Sequence, residues 1–115
     1  MRKTISSISV VVTLASLFVL PSQVVAKEMS GKEIAFDRKL GNCLGCHMIA
    51  GGTLPGNAGP PLVAMKARFP DKAVLRAQIW DATVKNPNSL MPPFGKHGVL
   101  TENQVDKITD FIHSL

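Results

Sequence analysis

The sequence contains few of the residue types from which small proteins commonly build metal, redox or aromatic binding sites. It contains two cysteines, three histidines, one tryptophan and no tyrosine. A structural zinc site uses four cysteine or histidine ligands, and no second paired motif is present to complete one. Apolar and polar residues nowhere alternate over a useful length, so neither a β fold nor the βαβ context of a thioredoxin-type redox pair is indicated. No internal repeat is visible.

Basic residues are in excess, but the excess belongs partly to the N-terminus. The formal net charge is +5 over the whole chain. Residues 1–26 contain Arg2 and Lys3 and no acidic residue, so the remainder is less basic than the total suggests. Nucleic-acid binding is therefore not indicated, whereas a modest positive surface would favour docking with an acidic partner.

The first 26 residues have the pattern of a cleaved export signal. Arg2 and Lys3 precede an apolar run from Ile5 to Leu20, and Val24–Ala26 provides small residues for cleavage. An uncleaved membrane anchor is the alternative, but the run is shorter than the roughly 20 residues that span a bilayer. The sequence thus predicts a signal peptide over 1–26, one domain over 27–115, and a periplasmic protein that is free of the membrane after cleavage.

The strongest motif is Cys43-Leu44-Gly45-Cys46-His47. Two cysteines at this spacing with a histidine directly after them are the attachment signature of a c-type haem. Each thiol forms a thioether with one vinyl group, and His47 can then bind the iron beneath the ring. A zinc site and a redox pair are the weaker alternatives, and a disulfide would leave His47 without a role.

A haem iron held by one histidine needs a sixth ligand or an open face, and that choice separates electron transfer from catalysis. The available side chains are Met29, Met48, Met65, Met91, His97 and His113. Met91 is favoured because two rigid prolines follow it in a loop. Met65 is interpreted as core or pocket lining, and His97 as a solvated loop residue that would have to replace Met91. A His47/Met91 pair would close both faces of the iron and indicates outer-sphere electron transfer.

The remaining pattern predicts an all-α fold. Capping boxes at Ser30/Glu33 and Thr101/Gln104 each begin a helix, and Asp71 is the predicted N-cap of another. The predicted helices run from 31 to Gly41-Asn42, from 72 to Asn86-Pro87 and from 102 to the end, with a helical turn within 62–69. The predicted inward residues are Ile34, Ala35, Leu40, Val74, Leu75, Ile79, Ala82, Val105, Ile108, Ile112 and Leu115. Two loops, 49–61 and 88–100, are long enough to indicate a ligand.

Trp80 carries the largest side chain, on the predicted 72–85 helix. Its indole is expected to contact the porphyrin, or a propionate through its N–H, and a plain role in the core is an equal alternative. With so few aromatic residues the core is thin, and a covalent haem would supplement it.

These motifs resemble class I cytochromes c. The matching segments are Cys43-x-x-Cys46-His47, Gly59-Pro60-Pro61-Leu62 and Met91-Pro92, between terminal helices. The resemblance implies that the carbonyl of Pro60 accepts a hydrogen bond from the proximal His47, which would tune the basicity of that ligand. It also implies crossed N- and C-terminal helices around one covalent haem c, with Ile34 and Ala35 on Ile108 and Phe111.

Within that class the sequence is most similar to SoxX, the monohaem subunit of SoxAX complexes. The segments that carry this similarity are 41–47 (GNCLGCH), 59–62 (GPPL), 75–82 (LRAQIWDA), 91–95 (MPPFG) and 100–101 (LT).

The SoxX resemblance implies one subunit of an L-cysteine S-thiosulfotransferase. In such complexes a SoxA-like dihaem or monohaem partner carries the catalytic haem and couples thiosulfate to a cysteine of the SoxYZ carrier. The SoxX-like subunit accepts the electrons and passes them to a diffusible cytochrome c. The chain has no spare cysteine for a thiosulfonate, so it is not expected to be catalytic alone. A free electron-shuttling cytochrome, or a haem enzyme or sensor in which Met91 dissociates, are the alternatives.

Overall fold

The computed structural model describes residues 27–115, and the predicted signal peptide over 1–26 lies outside them. All the regular secondary structure in this part of the chain is helical, without a β-strand. Its helices are α1 (Gly31–Phe36), α2 (Met65–Arg68), α3 (Lys72–Trp80) and α4 (Glu102–His113), and short 3₁₀ turns lie at Cys43–Gly45 and Ala82–Val84. No helix among these residues is both long and apolar enough to span a membrane.

The two predicted capping boxes begin α1 and α4. The Ser30 hydroxyl accepts from the Glu33 amide while the Glu33 carboxylate accepts from the Ser30 amide, and Thr101 pairs with Gln104 in the same way. These reciprocal hydrogen bonds satisfy backbone donors that a helix N-terminus leaves unpaired.

Two helices end earlier than the sequence predicts. α1 stops at Phe36 because Asp37 is extended (φ −68°, ψ 122°), and its carbonyl then accepts the amides of Leu40 and Asn42 in a turn. α3 stops at Trp80, well before Asn86-Pro87, because Asp81 is extended (φ −153°, ψ 92°). Val74, which was predicted to face inward, is 38% exposed.

The terminal helices cross in close contact. A Cβ on Gly31 would lie 2.0 Å from the Lys107 carbonyl oxygen, so the two backbones approach as only glycine allows. Beside this point the rings of Phe36 and Phe111 meet edge to face, with centroids 5.9 Å apart. The crossing of α1 and α4 is confirmed.

The core is small and mostly aliphatic. Its buried members are Ile34, Ala35, Ile49, Leu62, Met65, Leu75, Ile79, Phe94, Leu100, Val105, Ile108 and Ile112. Phe94 is the one aromatic residue among the described residues that belongs to the buried core, and the other aromatic rings lie at the edge of the cluster. On the outside, α3 is joined to α4 by the ion pairs Lys72–Asp110 and Arg76–Asp106, each 2.5 Å long.

Candidate functional site

The two cysteines lie on a single tight turn. Asn42 adopts left-handed geometry (φ 45°) and directs the chain into the 3₁₀ turn Cys43–Gly45. The carbonyl of Cys43 then accepts the amides of both Cys46 and His47, at 3.2 and 2.9 Å. One backbone oxygen therefore fixes the relative positions of the two thiols and the imidazole.

Both thiols are partly buried. Burial raises the pKa of the Cys43 thiol to about 11. Within residues 27–115, moreover, no three histidine, cysteine or acidic side chains are grouped as a metal ion would require. The zinc alternative therefore lacks, among these residues, the further ligands that a four-coordinate site needs.

His47 is held by its Nδ1 atom. That nitrogen lies 2.7 Å from the carbonyl oxygen of Pro60. A carbonyl can only accept, so Nδ1 carries the proton and Nε2 keeps its lone pair for a metal. The contact that the resemblance implied is present in the structure.

The segment that supplies this acceptor is joined to the haem-attachment motif by backbone hydrogen bonds. The Gly59 amide donates to the Cys46 carbonyl, and the Leu62 amide donates to the Met48 carbonyl, both at 2.9 Å. Gly59 also packs flat against the imidazole, since a Cβ there would lie 2.4 Å from Cε1 of His47. The ring is thus confined between its hydrogen-bond acceptor and a backbone that has no side chain.

Arg68 supports the same segment from α2. Its Nη1 donates to the Pro61 carbonyl at 2.8 Å and lies 3.4 Å from the sulfur of Met65. The sequence analysis did not identify Arg68, because nothing in the local pattern shows that α2 returns to the 59–62 segment.

Met91 lies in the second loop and packs, partly buried, against the core cluster. Its amide donates to the Ser89 hydroxyl at 3.2 Å. Pro92 and Pro93 follow, and the Phe94 amide closes a turn onto the Pro92 carbonyl at 2.9 Å. The thioether therefore sits at the start of a short segment with little conformational freedom.

Trp80 connects the end of α3 to the loop 88–100, which contains Met91 and is called the Met91 loop below. Its carbonyl accepts the amides of both Gly95 and Lys96 at 3.2 Å, and its ring lies so close to Gly95 that a Cβ there would be 2.0 Å from Cε3. On the helix side, the Arg76 guanidinium stands 5.3 Å from the ring centroid. The side chain is half-buried at the edge of the core, so it anchors the loop, and a contact with porphyrin stays a prediction.

Asp81 adds a charged contact at the same place. Its side chain is only 7% exposed, and its Oδ2 lies 2.8 Å from Nζ of Lys96. The hydrogen bond from Lys96, together with those from Thr83, lowers the pKa of Asp81 to about 2, so this buried carboxyl is ionised at neutral pH. Trp80, Asp81, Gly95 and Lys96 are called the loop anchor below. The sequence did not reveal it, because its two halves are distant along the chain.

The other ligand candidates have different surroundings. Met65 is 1% exposed, at the centre of the core, in agreement with its interpretation as a core residue. His97 is exposed on the surface. His113 is half-buried, with Nε2 3.0 Å from the Phe69 carbonyl oxygen.

The donor set fits a covalently attached haem. Cys43 and Cys46 present thiols on one turn, His47 presents Nε2, and Met91 presents a thioether from a restrained loop. Thiols for attachment, an imidazole and a soft sulfur are the groups that c-type cytochromes use.

Two comparisons with known proteins identify the class. The model of the family described as cytochrome c oxidase, cbb3-type, subunit III matches residues 27–112. The chain belongs to this family of cytochrome c domains, and the family implies covalently bound haem c. A comparison with curated proteins finds no match.

A solved structure provides a more specific similarity, to one cytochrome complex. The chain resembles the crystal structure of SoxXA from P. pantotrophus with a TM-score of 0.66 and 25% identity. The alignment covers 73% of this chain and 77% of that one. The all-α class I cytochrome c fold and its closeness to SoxX are therefore confirmed.

Proposed function

We propose that this chain is a periplasmic electron-transfer cytochrome with a single haem c. Cys43 and Cys46 form the thioethers, and His47 and Met91 are the axial ligands. The hydrogen bond from Nδ1 of His47 to the Pro60 carbonyl carries this assignment, because it leaves Nε2 as the only nitrogen able to bind iron. The periplasmic location rests on the signal pattern of residues 1–26.

Bound haem c supplies a one-electron iron couple. The residues of the chain set the conditions for it. The Pro60 carbonyl makes the imidazole of His47 more basic and holds its orientation. Met91 would hold the iron opposite His47, and the loop anchor keeps its loop against α3. With both of these side chains bound, no position would be left for a substrate, so the haem would serve electron transfer.

For the partner, we propose the electron-accepting role in a SoxAX-type L-cysteine S-thiosulfotransferase. The similarity to SoxXA supports this proposal, because it covers 73% of this chain and 77% of that one. A SoxA-like cytochrome would couple thiosulfate to a SoxYZ cysteine, and this subunit would pass the electrons to a diffusible cytochrome c. Both cysteines of the chain belong to the haem-attachment turn, which agrees with a subunit that is not catalytic alone.

A free electron-shuttling cytochrome is the second candidate. The family match favours this second candidate, because the description of the family names a cytochrome subunit and no sulfur chemistry. Both candidate functions need an iron that is held by two ligands from the protein. They therefore predict the same site and differ only in the partner protein.

The test is co-purification from thiosulfate-grown cells, followed by haem-stained gels. The SoxAX proposal predicts that a larger cytochrome co-purifies, and that thiosulfate with SoxYZ reduces the haem of this chain only when that cytochrome is present. Direct reduction by ascorbate is the control for a competent haem. A chain that purifies alone and exchanges electrons only with other cytochromes would be a free shuttle.

A further inference from the structure

An ion pair between Asp81 and Lys96 holds the Met91 loop at the end of α3, and only the Asp81 side chain of this pair is buried. Asp81 is 7% exposed and Lys96 is 56% exposed, and their charged atoms lie 2.8 Å apart. We propose that Asp81 is a positioning residue for Met91: through Lys96 its carboxylate holds the loop in the place from which the Met91 thioether reaches the iron. The inference rests on the proposed function, because it takes Met91 to be the sixth ligand.

The two oxygens of Asp81 have separate tasks. Oδ1 accepts from the backbone amide of Thr83 at 3.0 Å and from its hydroxyl at 2.5 Å, which caps the 3₁₀ turn after α3. Oδ2 is left for Lys96. A capping role needs only one acceptor oxygen, so the cap alone explains neither the charge on Asp81 nor its second contact.

The backbone beside this ion pair forms the other half of the loop anchor. The last carbonyl of α3, that of Trp80, accepts from Gly95 and Lys96. Glycine is required at 95 because the indole occupies the space of a Cβ. Helix end and loop thus meet through two amide hydrogen bonds, a close backbone approach and one ion pair.

A displacement of Lys96 also displaces Met91, because the residues between them are conformationally restrained. Pro92 and Pro93 have a fixed φ, and Phe94 is buried at 8% exposure with its amide on the Pro92 carbonyl. Its own carbonyl accepts the Leu100 amide at 3.0 Å, which closes the loop behind it. A segment this restrained moves as a unit, so loss of the Lys96 contact increases the fraction of time in which the thioether is displaced.

The test uses holo-protein variants with attached haem. Asp81→Asn keeps an oxygen for Thr83 and removes the charge, and Lys96→Met removes the partner. Lys96→Arg keeps the cation and is the rescue variant. Lys72→Met is the control, because Lys72 is 54% exposed, close to the 56% of Lys96, and its ion pair with Asp110 lies away from the loop.

The readouts are the red-end absorption band of the thioether–iron bond and the apparent dissociation constant of added imidazole. If the displaced fraction rises about tenfold, imidazole binds about tenfold more tightly, since apparent affinity scales with the competent fraction. We expect this change in Asp81→Asn and in Lys96→Met, and no further change in the double variant, because both remove one interaction. Lys96→Arg and Lys72→Met should bind imidazole as the wild type does.

The inference is overturned if imidazole binds Asp81→Asn and Lys96→Met as weakly as the wild type, or if Lys72→Met shows the same gain. Lys96→Met removes an exposed side chain, so it provides the test even if Asp81→Asn does not fold. Absence of the thioether band from the wild type would overturn the Met91 ligation and this inference together. A normal wild-type band with unaltered variants would overturn the positioning role alone.

Discussion

Replacing Gly59 by alanine tests how tightly the proximal histidine is held. A Cβ at this position would lie 2.4 Å from Cε1 and 2.6 Å from Nδ1 of His47. The ring cannot retreat without stretching its 2.7 Å contact with the Pro60 carbonyl. The Gly59 backbone cannot retreat freely either, because its amide donates to the Cys46 carbonyl at 2.9 Å.

The expected cost follows from those contacts. Overpacking a fixed site costs about 1–3 kcal/mol, and a weakened hydrogen bond adds about 0.5–1.5 kcal/mol. Taking about 2 kcal/mol, the melting temperature of a domain of this size falls by roughly 8–16 °C. The reduction potential should rise, because an imidazole that loses its Nδ1 acceptor is a weaker donor to iron.

Thermal melts followed by circular dichroism and a redox titration of the holo-protein measure both effects. Gly45→Ala is the control within the same motif, because its Cβ would meet only the amide end of the exposed Asn42 side chain, at 2.9 Å, which can rotate away. We expect a shift of less than about 0.5 kcal/mol for the control. A Gly59→Ala variant with the melting temperature and potential of the wild type would refute the confinement of His47.

Three further predictions concern the sixth ligand, the crossing of the terminal helices and the capping box of α1. Met91→Ala should lose the red-end absorption band and lower the reduction potential, whereas Met65→Ala should keep both and instead destabilise the fold by about 2–5 kcal/mol in denaturant melts, because it leaves a cavity. Gly31→Ala would place a Cβ 2.0 Å from the Lys107 carbonyl oxygen and should cost about 1–3 kcal/mol in the same melts, unless the terminal helices do not cross as described. Hydrogen bonds from Ser30 lower the pKa of Glu33 from 4.5 to about 2, so its contribution to stability is present above about pH 4.5 and lost as the pH falls towards 2. Glu33→Gln, which keeps the capping acceptor, should show a smaller loss of stability between about pH 6 and about pH 3 in urea melts, and an unchanged loss would contradict the assignment.

The helix starts and the attachment turn could be predicted from the sequence because they are local. Ser30 and Thr101 cap their helices through residues three positions away, and Cys43 to His47 form one turn. Each such feature depends on a few consecutive residues. Sequence pattern alone is sufficient for them.

The helix ends and the loop anchor depend on partners that are distant in the chain. Asn86-Pro87 predicts a stop for α3, yet the helix ends at Trp80, whose carbonyl accepts amides from residues 95 and 96. Asp81 looks like an ordinary polar residue until Lys96 is placed beside it. Arg68 becomes relevant only once α2 is packed against the Pro61 carbonyl. Arg68, Asp81 and Lys96 were therefore missed, whereas the contact of Pro60 with His47 was expected from the resemblance and is present.

The most direct test of the account is the absorption spectrum of the purified protein in its oxidised and reduced states. The account predicts one low-spin haem c per chain, with a thioether–iron band near the red end of the visible range that persists when ligands such as cyanide are added at low concentration. A colourless protein, or a haem whose iron is readily vacant, would contradict it.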